Sequence, residues 1–140
     1  MIRLSQLIGQ DTVALADAER TGRVNGIRIE ADRVVGVHTG AAVIESGSIR
    51  SFDGDAVTYD GTPSAPGDTK ADDPRGRRVL DEEGDELGRL ADLEIEADGT
   101  ISNILLDDGR TVAGRSLRAV GSYAVVVAAH PDTSLTTGDG

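Results

Sequence analysis

Residues 81–88, DEEGDELG, place five carboxylates within eight positions, and the chemistry open to such a run is to hold a hard cation through oxygen ligands. A calcium loop of the EF-hand kind needs an Asp-x-Asp-x-Asp-Gly run with a distal Glu, and neither is present, so the stretch reads as a solvated turn. His38 and His130 are the only histidines, and cysteine is absent. Two imidazoles without thiolates make a poor zinc set, and both are read as surface residues. Nucleophilic catalysis needs a serine held by a histidine that an acid orients. GRSLR at 114–118 is not a Gly-x-Ser-x-Gly elbow, and Ser116 has a counterpart at Ser48 in GSIR, 47–50, which assigns both serines to a scaffold. No Gly-x-x-x-x-Gly-Lys occurs, and the sole lysine, Lys70, lies in a proline-rich stretch. Glu94 and Glu96 flank Ile95 and are expected to face solvent together as an acidic sheet face. This reading assigns no catalytic, cofactor-binding or metal-binding residue, and the expectation is a protein that is not an enzyme.

The elements that would carry these residues have the period of strands. In DLEIEADGTISNILL, Leu93, Ile95 and Ala97 alternate with Glu94, Glu96 and Asp98, and Asp98-Gly99 suits a tight hairpin turn because glycine accepts positive φ. A strand over Ile101 to Leu106 returns, and Asp107-Asp108-Gly109 makes the next turn. YAVVVAA at 123–129 is apolar almost throughout, as a strand buried on both faces would be. Leu90, Leu93 and Ile95 are spaced three and then two apart, which fits a β-bulge. Apart from a short turn at Leu4 to Ile8, no stretch holds a 3.6-residue period. The fold class expected is all-β.

The same pattern is written twice. GRVNGIRIEAD at 22–32 and GRLADLEIEAD at 88–98 are related by an offset of 66, and six of thirteen positions over 20–32 are identical to their counterparts. SIRSFDGDAVTY at 48–59 aligns with SLRAVGSYAVVV at 116–127 at an offset of 68, pairing Ser48, Arg50, Ala56 and Val57 with Ser116, Arg118, Ala124 and Val125. Two blocks in one order predict an internal duplication, with repeats at 1–60 and 75–129. GTPSAPGDTKADDP at 61–74, with three of the four prolines, is expected to be a linker. Residues 130–140 are expected to be a flexible tail.

Composition narrows the function classes. Aromatic residues make up 2% of the 140, so Val, Ile, Leu and Ala must build the interior. No apolar run approaches the roughly 20 residues of a membrane-spanning helix, and MIRLSQLIGQDT lacks the core of a signal peptide, so no membrane insertion and a cytoplasmic location are expected. The net charge of −11, spread over both repeats, opposes phosphate backbones, which argues against a nucleic-acid partner. Thirteen of the fourteen cations are arginine.

The second repeat, RGRRVLDEEGDELGRLADLEI, resembles the PRC-barrel family, small β-barrels found in the cytoplasmic domain of the photosynthetic reaction centre H subunit and at the end of a ribosome maturation factor. Asp81, Gly84, Leu87, Gly88, Leu90 and Asp92 fall where the family places an Asp-x-x-Gly turn and the strand after it. The first repeat, LSQLIGQDTVALADAERTGRVNGIRI, departs: Ala18 stands at the place of Gly84, Thr21 at that of Leu87 and Gly26 at that of Asp92. Its first turn is accordingly expected to be reshaped, and its hairpin EADRV has no glycine at 33 to match Gly99. The resemblance implies two tandem small barrels and a non-enzymatic protein-protein interaction or scaffold module, with a protein partner or partners of unspecified identity. Units of some 55 residues bury little apolar area, since about 25 cal/mol per Å² nearly cancels ordering entropy at that size. They should therefore dock, as an intrachain pseudo-dimer or a homo-oligomer. The alternatives are a ribosome- or RNA-associated assembly role and a small-ligand site in a groove between barrels.

Overall fold

Short stretches in which aliphatic residues alternate with polar ones or run together, cut by Gly-containing turns, produce many short strands in the computed structural model, which describes residues 1–67, 71–131 and 133–135. The first half holds β1 (Ile2–Arg3), the one-turn helix α1 (Leu4–Leu7), β2 (Asp11–Ala14), β3 (Glu19–Arg23), β4 (Gly26–Glu30), β5 (Arg33–His38), β6 (Val43–Glu45), β7 (Ile49–Ser51) and β8 (Val57–Tyr59). The second holds β9 (Arg78–Asp81), β10 (Glu86–Ile95), β11 (Ile101–Leu106), β12 (Arg110–Ala113), β13 (Leu117–Val120), β14 (Ala124–Val127) and β15 (Thr133–Leu135). The chain is mostly β, as its periodicity predicts.

One order of pairings recurs in the two halves. In the first, β2 lies antiparallel to β3 and parallel to β8, β8 pairs with β7, and β4, β5 and β6 form a meander. In the second, β9 lies antiparallel to β10 and parallel to β14, β14 pairs with β13, and β10, β11 and β12 form the meander. Where the first half breaks at Val24-Asn25, β10 runs unbroken for ten residues, with an irregularity between Leu90 and Asp92 against β11 at the place the side-chain spacing predicts. By register, Ile29 and Ile95 are 66 residues apart, Val37 and Ile104 67, and Val43 and Thr111 68. The sequence offset thus grows by single residues, first in the β4–β5 hairpin and then before β6.

The turns show what the backbone demands. The β10–β11 hairpin closes through Glu96 N to Thr100 O at 2.8 Å and Gly99 N to Glu96 O at 2.9 Å, with Gly99 at φ +91°, the left-handed conformation that a three-residue hairpin loop requires. In the β9–β10 turn Gly84 sits at φ +88°, and Ala18 in the first half adopts φ +58°. The first turn therefore keeps a left-handed residue although its sequence supplies a Cβ.

Two segments read as connectors are built into the fold. Within 61–74, Ser64 exchanges backbone hydrogen bonds with Val43 at 2.8 and 2.9 Å, and Ile27 N donates to Asp72 O at 2.9 Å. Gly76 N donates to Leu90 O at 2.7 Å as Gly9 N donates to Val24 O at 2.7 Å, and Arg77 N donates to Pro74 O as Gln10 N donates to Leu7 O. Residues 71–77 thus lead into the second half as 4–10 lead into the first. Within 130–140, expected to be a flexible tail, Thr133–Leu135 form β15 against β12; residue 132 and residues 136–140 lie outside the described residues.

The halves are joined by reciprocal contacts. Val34 N donates to Gly99 O at 2.8 Å and Ile101 N donates to Asp32 O at 2.7 Å, so the two hairpins clasp each other in a two-fold-like way. β1 crosses to β10, setting Ile2 opposite Ile95. One hydrophobic cluster runs from Ile2, Leu4 and Leu7 through Val37, Ile44 and Phe52 to Leu93, Ile104 and Val127. Sharing a core buries more apolar surface than either half could alone.

Candidate interaction groove

A difference of one side chain between the halves marks a recess where they meet. At the end of β7, Phe52 is 1% exposed and packs on the β10–β11 hairpin so closely that a Cβ on Gly99 would stand 2.9 Å from its ring. Phe52 N donates to Ala97 O, and the Met1 ammonium pairs with Asp53 at 2.6 Å. By the register of β7–β8 and β13–β14, the residue of the second half equivalent to Phe52 is Val120. Valine is several carbons smaller, and beside it lies a groove of about 240 Å³ lined by Ile27, Arg28, Ile29, Glu30, Asp72 and Val120.

The lining mixes aliphatic surface with charges that are already engaged. Arg28 lies 3.3 Å from Glu45 and 3.9 Å from Glu30. Asp72 takes a forked pair of hydrogen bonds from Arg77, one at 2.8 Å, and those bonds hold the Arg77 guanidinium above its ordinary range. Carboxylates tied to guanidinium groups in this way keep further lone pairs free to accept hydrogen bonds.

The residues singled out by type lie elsewhere. In DEEGDELG, Asp81 is buried and its carboxylate accepts the amides of Glu83 at 2.9 Å and Asp85 at 3.0 Å, while Glu82, Glu83, Asp85 and Glu86 are exposed. The run is a turn whose first aspartate satisfies its own backbone. Among the described residues no three His, Asp or Glu side chains are grouped so as to hold a metal ion. Ser116 and Ser48 each close a short 3-10 turn, at Gly114–Ser116 and Ser46–Ser48. Glu94 does not stand free in solvent: Asn103 donates to it at 2.8 Å and Arg3 of β1 lies 3.7 Å away. Lys70 lies outside the described residues. His130 is exposed, 3.5 Å from Glu83.

His38 corrects the expectation of a surface residue. It is 2% exposed on β5 with no hydrogen-bond partner for Nε2, and Ser64 and Ala71–Asp72, from a stretch with no apolar period, lie against the neighbouring strands β6 and β4. The sequence suggests a groove between barrels without placing it on residues, although aligning SIRSFDGDAVTY with SLRAVGSYAVVV sets Phe52 against Val120.

Residues 66–125 match the family model described as PRC-barrel domain. No curated protein matches the chain.

Proposed function

The chain belongs to the PRC-barrel family through residues 66–125, and from that premise we propose that it is a non-enzymatic, cytoplasmic protein-protein interaction or scaffold module made of two PRC-type barrel units that arose by internal duplication. The recurrence of the same strand pairings in residues 11–59 and 78–127 supports the two-unit reading. The observation that carries the interaction reading is the groove beside Val120, open where Phe52 seals the equivalent place. Its charged groups are engaged in ion pairs with one another and with Glu45 and Arg77 beside it, an arrangement suited to a docking rim. Its volume of about 240 Å³ falls below the roughly 300–1,000 Å³ of pockets that enclose drug-sized ligands, which favours a segment of a partner protein over a small molecule. Among the described residues no helix is long and apolar enough to cross a membrane.

The test copies the first half into the second. The tagged full chain and its Val120→Phe variant are used as baits at physiological salt, with crosslinking mass spectrometry to locate contacts. A partner that crosslinks beside Arg28–Glu30 with the wild type and is at least tenfold depleted with Val120→Phe supports the proposal. Identical recovery with both baits, or nothing above an untagged control, overturns it.

A further inference from the structure

His38 stands directly opposite Gly26 of β4 and Val43 of β6. Cross-strand partners project to one side of a sheet, so His38, Gly26 and Val43 share a face, continued by Gly36, Arg28 and Glu45. That face turns away from the core: Ile27, Val37 and Ile44 belong to the core cluster, whereas Val43 is 3% exposed yet outside it. Ser64 and Ala71–Asp72 lie against the face. A Cβ on Gly26 would lie 2.5 Å from the Ala71 Cβ and 2.6 Å from Asp72 N, and Ser64 is bonded twice to Val43. The equivalents of His38 and Val43 in the second half are Leu105 and Thr111, and Thr111 pairs with β15. The titratable site on this outer face is therefore a feature of the first half.

We infer that His38 is an acid-operated latch: its neutral ring lets Ser64 and Ala71–Asp72 lie on the outer face of β4–β6, and its protonation lifts them off. An imidazolium needs acceptors or water, and Nε2 has no partner in the closed state. The charged groups facing it are Arg28 from β4 and Glu45 from β6, which pair with each other at 3.3 Å. From the covering segment Asp72 is engaged by Arg77. Burial holds the His38 imidazole below its ordinary range, Arg28 pushes the same way and Glu45 opposes. Among the described residues, the Ser64–Val43 pair and the Ile27–Asp72 bond tie the cover to the sheet through backbone alone, outside the core on the opposite face. Lifting it is thus the least costly way to hydrate the charge. Asp72 also lines the groove, so release would widen it; the latch itself holds whether or not a protein occupies the groove.

The test uses the full chain with His130→Gln, so that His38 is the only imidazole. Its ring protons are followed by NMR, and amide hydrogen exchange is measured at about pH 7.5 and pH 5, corrected for intrinsic rates. The expected result is a His38 midpoint below the ordinary value of about 6.5, with an at least tenfold loss of protection at Ile27, Val43 and Ser64 in acid while Leu93 and Ile104 hold theirs. His38→Leu should abolish that loss. If His38→Leu does not fold, the exchange pattern of the His130→Gln chain decides. Unchanged protection, equal loss at Ile27 and Ile104, or a His38 midpoint at or above about 6.5 overturns the latch.

Discussion

Asp92 holds Ser5: its carboxylate accepts the Ser5 amide at 3.0 Å and the Ser5 hydroxyl at 2.5 Å, and it also accepts the Leu93 amide at 2.9 Å. This bond ties α1, at the start of the first half, to β10 in the second. At the equivalent place on the other side stands Gly26, where the backbone of Asp72 comes close enough that a Cβ would clash. The lead-in segments are therefore docked by a side chain on one side and by bare backbone on the other. Replacing Asp92 with Ala removes a charged acceptor from three donors and is expected to cost about 2–3 kcal/mol, read as a lower midpoint in urea with faster exchange at Arg3 and Ser5.

Gly114→Ala should be far more damaging than its size suggests. A Cβ there would stand 1.8 Å from Ile101 O and 2.6 Å from Ile101 C, and backbone atoms in a central strand cannot step aside. The expected loss is about 3 kcal/mol or more, through overpacking. Ser46, at the same place in the first half, already carries a side chain, so Ser46→Ala should change the unfolding free energy by less than about 0.5 kcal/mol. Chemical denaturation of the two variants side by side checks the contrast.

Ala18 occupies φ +58° and Ala31 φ +52°, conformations in which a Cβ costs about 1–2 kcal/mol. Ala18→Gly and Ala31→Gly should each stabilise the protein, by up to about 1 kcal/mol after the larger entropy of the unfolded glycine is subtracted. Gly84→Ala, at φ +88°, should lose about as much. Thermal unfolding of the three variants tests the signs.

The same residues mark what could be read in the chain. Asp98-Gly99 announced its hairpin because glycine was present to take the positive φ that the turn needs. Ala18 concealed its turn: the flanking strands β2 and β3 impose the conformation, and a residue that merely tolerates it leaves no signal. The equivalence of 4–10 and 71–77 was equally silent, since LSQLIGQ and ADDPRGR share only a glycine and backbone hydrogen bonds carry the likeness. His38 was misread because burial on an outer face depends on what crosses it, and the crossing segment has the composition of a linker. The groove depends on a Phe-to-Val difference whose meaning appears only when both halves face each other.

Acid should weaken the chain through Asp73 as well. Hydrogen bonds from the Arg75 side chain hold the Asp73 carboxyl below its ordinary range. A depressed carboxylate stabilises the fold above its unfolded value of about 3.9 and loses that contribution as pH falls through the lower folded value. Both side chains are about one-third exposed, so the contribution is about 0.5–1 kcal/mol. Asp73→Asn should accordingly be less stable than wild type at neutral pH and indistinguishable from it near pH 2, measured by urea unfolding at both pH values.

Phe52 and Val120 offer the sharpest comparison of the two halves. Phe52→Val empties space against Gly99 beneath a sealed surface and should cost about 2–3 kcal/mol, the loss of transfer energy plus an unfilled cavity. Val120→Phe adds the same atoms where a groove of about 240 Å³ is open to receive them, so its unfolding free energy should stay within about 1 kcal/mol of wild type or rise. If filling the Val120 side cost as much as emptying the Phe52 side, the recess would be closed in solution and could not serve as a docking surface. Urea unfolding of the two single variants measures the difference directly, and near-additivity in the double variant would show that the two sides act independently.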